Sequence, residues 1–572
     1  MEALLTPANR ASVLALLASS GQWSSAPTGF SSSRLQPVHM NQAADSLVKP
    51  SMAQPALSPS TGCAAPRRAQ SYAFYYAGLL ASASLLALAA AELARAVRNA
   101  RARRATRGMP GEQGYPVVGE TLAYGDRMRA FQDARFAEHG PVFRTNILGA
   151  DVVFIGVVPG VDPADMLDLV FSDGQARHGI EHAYLPGLDR FARGTLVAMS
   201  GAEHARERNM VVRGLSDEQL RVSVPLLADV LEAAVARWSA AGPRGVDVKV
   251  HGKAAIWEFL QSAVCGTLPP ADSVRLRRLM EDLAPGFFAV PVDLGPLSMY
   301  GRALVAKREM DHMMRDEIAR RDASTSSSVD GRATDVMQAF LDYVDADSGR
   351  RMSDASIASS ISLLSLATDT TASTLFSALL ALSDGDDPNV VAMRAKIVDE
   401  VGRVTAGVRD ARQVTLDHLN ELKYTHAFLG EVLRVRPPFS QNLRLAGRDV
   451  MIPGTPYTVP KGWYIFYSHS HAQRNDAVNF APDPHAFRPE RHLHDPSHVA
   501  EWKRAVTPFA KGVHMCPGFK FALAIVKMFL VVLARRVLEG HEWPSVHMRL
   551  ESEDVREIPS IEPRGELRVV FQ

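Results

Sequence analysis

One cysteine-containing loop constrains the fold of this chain of 572 residues more than any other feature. Cys516 lies in the segment PFAKGVHMCPGFKFAL (508–523), between Gly512 and Gly518 and directly before a helical pattern. The free backbone N–H groups of a helix N-terminus stabilise a thiolate. Gly512 permits a close turn, and Gly518 lets the backbone approach a flat group. The loop therefore predicts a thiolate at the start of a helix, facing a flat cofactor.

The other two cysteines carry no such signal. Cys265 lies in the helical run AAIWEFLQSAVCG, where a cysteine is expected to be inert packing, and Cys63 lies near the N-terminus. Three cysteines cannot form a disulfide framework, which excludes a small disulfide-stapled secreted fold. The chain after residue 107 has 52 Lys and Arg against 59 Asp and Glu, so nothing in it indicates nucleic-acid binding.

The segment FAKGVHMCPG, from Phe509 to Gly518, resembles the heme-binding signature of the cytochrome P450 family at every fixed position. That signature is Phe-x-x-Gly-x-(Arg/His)-x-Cys-x-Gly. The resemblance implies that Cys516 is the axial thiolate of heme iron, in heme b, and that this ligand favours O–O cleavage. It also implies that Phe509 shields the sulfur, that His514 reaches a heme propionate, and that Gly512 and Gly518 shape the loop.

The resemblance covers 110–572 and implies a mainly α fold with a smaller β region and a long central helix over the heme. Helical periodicity is present in five early segments: 125–139, 201–213, 217–240, 252–266 and 272–284. Three short runs are rich in β-formers: 141–147, 151–158 and 463–467. Residues 354–384 form one pattern without Gly or Pro that Gly385 and Pro388 end, which predicts the long helix.

Two arginine motifs support the resemblance. Glu431-Val-Leu-Arg434 lies in a helical stretch, and its spacing of three places both side chains on one helix face. Alone, this spacing is equally typical of a solvated surface pair. The later segment Phe487-Arg-Pro-Glu-Arg491 resembles the family's second arginine motif. Glu431, Arg434 and Arg491 would then form the family's structural triad, which holds the cysteine loop.

The predicted long helix carries Leu366-Ala-Thr-Asp-Thr-Thr371, an unusual run because threonine hydroxyls compete for the helix backbone. One explanation is that these hydroxyls bond to the preceding turn. The run also resembles the family's oxygen-activation motif, (Ala/Gly)-Gly-x-(Asp/Glu)-Thr-Thr. The resemblance assigns Thr370 to the distal pocket, where it would hydrogen-bond dioxygen or its water, and Asp369 to proton supply. Leu366-Ala367 replaces the usual small pair and implies a bulkier pocket wall.

Three further residues are expected to bind the heme propionates. In Ser200-Gly-Ala-Glu-His204-Ala-Arg-Glu-Arg208, which resembles the family's C-helix, His204 and Arg208 are four residues apart and share a face. Arg444 follows the segment PPFSQNL, where the family places another propionate-binding arginine. Burial of two carboxylates without cationic partners is costly, so several such residues are physically expected.

The N-terminal 107 residues contain 11 Lys and Arg against 3 Asp and Glu, and their composition differs from that of the rest. Residues 1–71 are interpreted as a flexible leader, either a transit peptide or a disordered tail without a targeting signal. Residues 72–91 carry no charge and are long enough, at about 30 Å, for a membrane-anchor helix. The basic segment 92–109 is interpreted as a linker on the cytosol-like side, and the location as endoplasmic reticulum or plastid.

Within the family, three segments resemble the branch of retinoic-acid hydroxylases and plant hormone or terpenoid hydroxylases: GYPVVGETL, GPVFRTNILG and FFAVPVDLGPLSMYGRAL. The resemblance implies hydroxylation of a hydrophobic isoprenoid-type substrate (terpenoid, sterol, retinoid or apocarotenoid) with O2 as co-substrate. The candidate residues of the substrate pocket are Phe287, Phe288, Leu366, Ala367, Phe439, Ser440 and Leu443.

The chain offers no flavin or ferredoxin domain, so electrons from NADPH must arrive through a separate partner. That partner would be a flavoprotein reductase or, in a plastid, ferredoxin. Two other functions stay open: a heme-thiolate isomerase or dehydratase that acts on lipid peroxides without O2, and a non-catalytic heme- or lipid-binding membrane protein. The second would not need Thr370. A group of histidines lacks a compact metal-ligand spacing and is expected to consist of surface or supporting residues: His469, His471, His492, His494 and His498.

Overall fold

The computed structural model describes residues 67–115, 118–125, 127–171, 180–182, 189–192, 194–287, 289–323, 328–329, 332–346, 348–364, 367–383, 385–476, 480, 483–493, 506–548, 555–557 and 560–571. The chain divides into two units, Met1–Ala77 and Gly78–Gln572. Of the first unit, only the start of a helix at Arg67 is described. Everything that concerns the site lies in the second unit.

Helices make up most of the described chain. In chain order they are α1 (Arg67–Ala105), α2 (Thr121–Tyr124), α3 (Met128–His139), α4 (Pro163–Phe171), α5 (Asp189–Ala192), α6 (Gly201–Gly214), α7 (Asp217–Ser239), α8 (Val248–Cys265), α9 (Pro270–Gly286), α10 (Met299–Ala323), α11 (Val336–Leu341), α12 (Asp354–Leu364), α13 (Ala367–Ala381), α14 (Pro388–Val404), α15 (Leu416–Glu421), α16 (Lys423–Val435), α17 (His469–Asn475) and α18 (Phe519–Leu538). Short 3-10 turns include Pro489–His492 and Gly512–His514.

The strands form one larger sheet and several small ones. They are β1 (Val142–Ile147), β2 (Ala150–Ile155), β3 (Ile180–His182), β4 (Val246–Asp247), β5 (Ser328–Val329), β6 (Arg332–Ala333), β7 (Asn442–Ala446), β8 (Val450–Met451), β9 (Thr458–Val459), β10 (Tyr464–Tyr467), β11 (Ser545–Met548), β12 (Val555–Arg556), β13 (Glu562–Pro563) and β14 (Leu567–Val570). The larger sheet has the order β1-β2-β10-β7-β3, and only the β2–β10 pair is parallel. A second sheet has the order β11-β14-β4, and three pairs stand alone.

The core follows the periodicities of the sequence. The helices from α6 to α16, together with α18, share one hydrophobic core, to which α13 and α18 contribute nearly all their apolar side chains. The larger sheet is covered on both faces, because Val153 and Ile155 of β2 enter one cluster while Val152 and Phe154 enter another. This alternation is what a strand buried on both sides produces. The predicted mainly α fold with a smaller β region is confirmed.

The central helix is described on both sides of residues 365 and 366. The long helix predicted over 354–384 corresponds to α12 and α13, and its last helical residue is Ala381 rather than residue 384. Leu366 lies outside the described residues. Ala372, Phe376 and Leu379 of α13 are fully buried, so this helix passes through the core as predicted.

The basic segment 92–109, interpreted above as a linker, is helical over most of its length, because α1 continues through it to Ala105. Alanine and arginine are both strong helix formers, which explains why the charges do not end the helix. In the described part of the chain, the one stretch long and apolar enough to cross a membrane is Asp354–Ala381, most of which is buried in the core. The membrane anchor at 72–91 stays a prediction.

A C-terminal hairpin, formed by β12 and β13, contacts both α3 and the central helix α13. Both carboxylate oxygens of Glu557 accept hydrogen bonds from the backbone N–H of Arg129 at the start of α3, at 2.8 and 2.9 Å. The Ser560 hydroxyl donates to the backbone oxygen of Asp369 in α13, and the Ile561 N–H donates to Pro438. The hairpin is therefore held at three distant points of the chain.

Burial raises the pKa of Glu557 from its usual 4.5 to about 7, although the Arg129 N–H and guanidinium oppose the shift. Because the folded state binds this proton more tightly than the unfolded state, Glu557 should lower the free energy of unfolding as pH rises from about 4.5 to 7. Glu557→Gln keeps the acceptor without the charge, and we expect it to flatten this slope and to raise stability at pH 8. Urea titrations at pH 5 and 8 measure both. An unchanged slope in the variant would contradict the assignment.

Candidate active site

The cysteine loop is closed by its own backbone. The Cys516 N–H donates to the Phe509 carbonyl at 2.9 Å, and Gly512 adopts a φ of +71°, a conformation that favours glycine. Gly518 directly precedes α18. A side chain at Gly518 would meet nothing within 4 Å, so space is open beside the backbone at this point. The ring of Phe509 lies against Phe519, with the centroids 6.1 Å apart.

Opposing influences act on the pKa of the Cys516 thiol. Its side chain is exposed to solvent, but the protein around the sulfur desolvates it and raises the thiol pKa. A hydrogen bond from the Gly518 N–H and the charge of Arg208 both act in the opposite direction. These are the two influences that stabilise a thiolate at a helix start. A metal cation at the sulfur would complete that stabilisation.

The two histidines and two arginines predicted to bind propionates converge beside this loop. His204 of α6 is buried and its ring centroid lies 4.1 Å from that of His514. Arg208, one turn further along α6, donates to the Met515 carbonyl at 2.8 Å. Arg444 of β7 donates to the Val170 carbonyl at 2.8 Å. Burial and then the charges of His204, Arg444 and Arg208 lower the pKa of His514 to about 3.

This donor set fits a heme group. The charges of Arg444 and Arg208 act on His514 beside the loop, so this region carries positive charge. Positive charge that is partly desolvated favours the binding of an anion. Heme brings two propionates for such a cluster and an iron for the sulfur of Cys516. The open space at Gly518 accommodates a flat ring beside the loop.

The two residues predicted to act on protons lie side by side at the start of α13. The Thr370 hydroxyl donates to the Ala367 carbonyl at 3.2 Å, so the bond to the preceding turn considered above is present. The Asp369 carboxylate forms an ion pair with Lys253 of α8, at 2.9 Å. Lys253 also contacts Glu562 of β13 at 2.8 Å. Burial lowers the pKa of Lys253, but the charges of Asp369 and Glu562 outweigh it, so the lysine stays protonated.

Lys253 and Glu562 are functional candidates that the sequence did not reveal. Lys253 lies in an ordinary helical run, and Glu562 belongs to a C-terminal segment without a motif. Both line a partly open cavity of about 450 Å³ that also contacts Thr368 and Asp369. The cavity connects Asp369 to solvent from the side of α8 and α9.

The arginine triad is buried rather than solvated. Arg434 and Glu431 of α16 are fully buried and 2.8 Å apart. Arg434 also donates to the carbonyls of Gln473, Pro484 and Ala486. Arg491 lies 3.6 Å from Glu431, and a ring nitrogen of His492 lies 2.9 Å from it. The surface-pair interpretation is therefore wrong, and the predicted structural role agrees with these contacts.

The remaining histidines between 469 and 498 act as supporting residues where they are described. His469 bonds to the Phe439 carbonyl at 2.7 Å, and His471 contacts Asp133 at 3.0 Å. No group of three or more metal-ligating side chains occurs in the described residues.

The candidate pocket residues are dispersed. Phe287 stacks on Phe191, with ring centroids 5.1 Å apart, and Ala367 packs against the main core. Phe439 is exposed. Ser440 is buried and accepts from Gln132 at 3.2 Å, while Leu443 packs into the cluster on one face of the larger sheet. The other two candidates, Phe288 and Leu366, lie outside the described residues.

Comparisons with known proteins agree with this site. A sequence profile of the family described as Cytochrome P450 matches residues 109–538. Human Cytochrome P450 26C1 is 27% identical over 483 residues, which cover 81% of this chain and 88% of that protein. Abscisic acid 8'-hydroxylase 2 of Oryza sativa subsp. indica is 27% identical over 464 residues, covering 80% and 85%. Taxoid 2-alpha-hydroxylase of Taxus canadensis is 24% identical over 435 residues, covering 74% and 82%.

The fold is likewise shared with solved structures. The structure of the retinoic acid-bound cyanobacterial CYP120A1 superposes with a TM-score of 0.67 at 23% identity. The match covers 81% of this chain and 98% of that one. The profile spans most of the chain and includes the cysteine loop, the arginine triad and α13. This chain therefore belongs to the cytochrome P450 family and is a heme-thiolate monooxygenase.

Proposed function

We propose that this monooxygenase hydroxylates a hydrophobic isoprenoid-type substrate, such as a terpenoid, sterol, retinoid or apocarotenoid. The observation that carries the proposal is the set of relatives. The names of two hydroxylases that match most of this chain give taxoids and abscisic acid as substrates. The solved structure with the same fold binds retinoic acid. All three compounds are isoprenoid in origin, although they differ in size and charge.

The residues of the chain divide the work of binding and orientation. Cys516 would ligate the heme iron, and Arg208, Arg444, His204 and His514 would hold the propionates. Bound in this way, heme supplies the activation of O2 and the oxidation of the substrate. The protein contributes the position of the cofactor, the polarity of its surroundings and the exclusion of water.

Proton supply is assigned to Asp369 and Thr370. The Asp369 carboxylate forms an ion pair with Lys253, and the cavity of about 450 Å³ brings solvent to it. To pass a proton inward, Asp369 must exchange its contact with Lys253 for one on the other side of α13. The Thr370 hydroxyl can give up its bond to Ala367 and donate into the pocket instead.

We infer that electrons come from a redox partner, as membership of the cytochrome P450 family implies. The partner would be a flavoprotein reductase supplied by NADPH, or ferredoxin. The uncharged segment 72–91 supports a membrane-anchored protein of the endoplasmic reticulum or plastid, with the catalytic domain on the cytosol-like side.

Asp369→Asn is expected to lower kcat by about 100-fold, within the range that general acid–base groups contribute, with little change in KM. A larger share of the electrons from NADPH should end in hydrogen peroxide, because proton delivery is slower in the variant. Steady-state turnover and peroxide yield measure this, and Glu281→Gln, at an exposed ion pair on the same cavity, is the matched control. Turnover within twofold of wild type in Asp369→Asn would contradict the assignment.

The substrate class is tested with the purified holoprotein and a panel of retinoic acid, abscisic acid, a taxane diterpene and a linear fatty acid. We expect at least one isoprenoid to shift the Soret band at low micromolar concentration and to gain one oxygen with NADPH, O2 and a reductase. Tighter binding of the fatty acid than of every isoprenoid would overturn the substrate proposal. Product formation without NADPH, and without gain of mass, would instead identify an isomerase.

A further inference from the structure

A second cavity lies away from the cysteine loop, between the end of α13, the start of α14, the end of α16 and the segment 486–490. Its volume is about 690 Å³, within the range of small-molecule sites. Its inner wall is apolar: Leu380, Val390, Met393, Val432 and Phe487. An apolar wall of this size can bury the hydrocarbon part of a ligand.

The charged side chains of the cavity differ in whether they already form an ion pair or a hydrogen bond. Lys396 forms an ion pair with Glu490 at 2.7 Å. Asp387 caps α14 by accepting from the Asn389 N–H at 2.8 Å. Each acid of the wall is thus engaged.

Two arginines of the cavity, the exposed Arg488 and the half-buried Arg436, form no side-chain ion pair with a described residue. Arg436 is the more buried of the two. It follows the last turn of α16, and its backbone N–H bonds to the Val432 carbonyl at 2.8 Å. Its side chain is half-buried, yet no described residue accepts a hydrogen bond or forms an ion pair with its guanidinium. Burial lowers the pKa of Arg436, and no acid opposes this.

The charge around Arg436 increases its need for an anion. Its positive charge acts on Arg129, whose pKa is lowered to about 10 by burial and by the charges of Arg474 and Arg436. A desolvated guanidinium beside another cation is costly unless an anion binds it. Arginine binds carboxylates through two parallel hydrogen bonds, a strong and geometrically specific contact.

We propose that this cavity binds an amphipathic carboxylate, whose carboxyl group pairs with Arg436 and whose hydrocarbon part lies along the apolar wall. The single buried cation matches a singly charged headgroup. The occupant packs against Leu380 and Ala381 at the end of α13, the helix that also carries Asp369 and Thr370. The site is separate from the heme pocket, and the proposal does not depend on the substrate class.

The test uses decanoate as the probe and decanol as its uncharged counterpart, both titrated calorimetrically into the full-length ferric holoprotein saturated with imidazole. Imidazole ligates the iron and keeps the heme pocket occupied. We expect decanoate to bind at least 10-fold more tightly than decanol, and Arg436→Gln to weaken decanoate at least 10-fold while leaving decanol unchanged. The exposed Arg488→Gln, at the rim of the same cavity, should change decanoate affinity less than threefold.

A second readout separates binding from a structural role. Because Arg436 has no partner to lose, the unliganded Arg436→Gln protein should be at least as stable to heat as wild type, and decanoate should raise the Tm of wild type only. Equal decanoate affinity in wild type and Arg436→Gln would overturn the proposal. So would loss of decanoate binding when imidazole is added, or a Tm several degrees lower in the unliganded variant.

Discussion

Replacing Cys516 by alanine is expected to remove thiolate ligation and to lower monooxygenase turnover by more than about 100-fold. Loss of even an outer partner of a metal ligand typically costs 10–100-fold, and Cys516 is the ligand itself. The thiolate also supplies the electron density that favours O–O cleavage, which no neighbouring side chain replaces. The measurement is the carbon monoxide difference spectrum of the dithionite-reduced protein, in which the strongly red-shifted Soret band of wild type should disappear.

The matched control is Cys265→Ala. Cys265 is buried, and burial raises the pKa of its thiol to about 12, so it stays protonated. Its sulfur lies 3.9 Å from that of Met314 in α10. This variant should keep the red-shifted band and most of the turnover. A band that persists in Cys516→Ala would show that the axial ligand lies elsewhere. Soluble, folded wild-type protein that takes up no heme would contradict the site as a whole.

Glu431→Gln is expected to cost about 3–5 kcal/mol of folding free energy, which is the usual loss when one partner of a buried ion pair is removed. Burial alone would raise the pKa of Glu431, but hydrogen bonds from Arg434 and His492 hold it at about 2. Because this value lies below that of an unfolded glutamate, the stabilisation is complete above about pH 4.5 and is lost as pH falls towards 2. Denaturant titration of the holoprotein, together with its heme content, measures the effect.

The control for Glu431→Gln is Arg277→Gln. Arg277 and Glu281 form an exposed pair at 3.3 Å on α9, and such pairs contribute about 1 kcal/mol or less. The double variant Glu431→Gln/Arg434→Met should recover part of the lost stability, because it leaves no buried charge without a partner. A Glu431→Gln protein within about 1 kcal/mol of wild type would contradict a structural role for the triad.

Several features could be predicted because they depend on residues close together in sequence. The helices α7, α9 and α16 follow from apolar spacing of three and four residues, and β1, β2 and β10 follow from short runs of β-formers. The cysteine loop could be identified because its turn, its glycines and the helix after it lie within a dozen residues. Residues 92–105 of the predicted basic linker are helical, and charge density by itself does not reveal a helix of alanine and arginine.

Local spacing is insufficient to predict whether the Glu431–Arg434 pair is buried. The spacing predicts that the two side chains share a helix face, but it does not distinguish a surface from the interior. Only the packing of Gln473, Pro484 and Ala486 around Arg434 decides that the pair is buried, because those carbonyls accept its remaining N–H groups. Removing one partner of a buried pair costs several kcal/mol of stability, whereas removing one partner of an exposed pair costs little.

The sequence by itself determined the family and predicted the thiolate ligand and the residues for the propionates, since each rests on a short motif. Tertiary structure alone decided which distant charges meet: Lys253 with Asp369 and Glu562, Glu557 with Arg129, and Arg436 with none of the acids in the described residues. The physical reason is that these contacts join helices, a strand and a hairpin that are far apart along the chain. Their charges interact only after the core has brought the elements together and excluded water from between them.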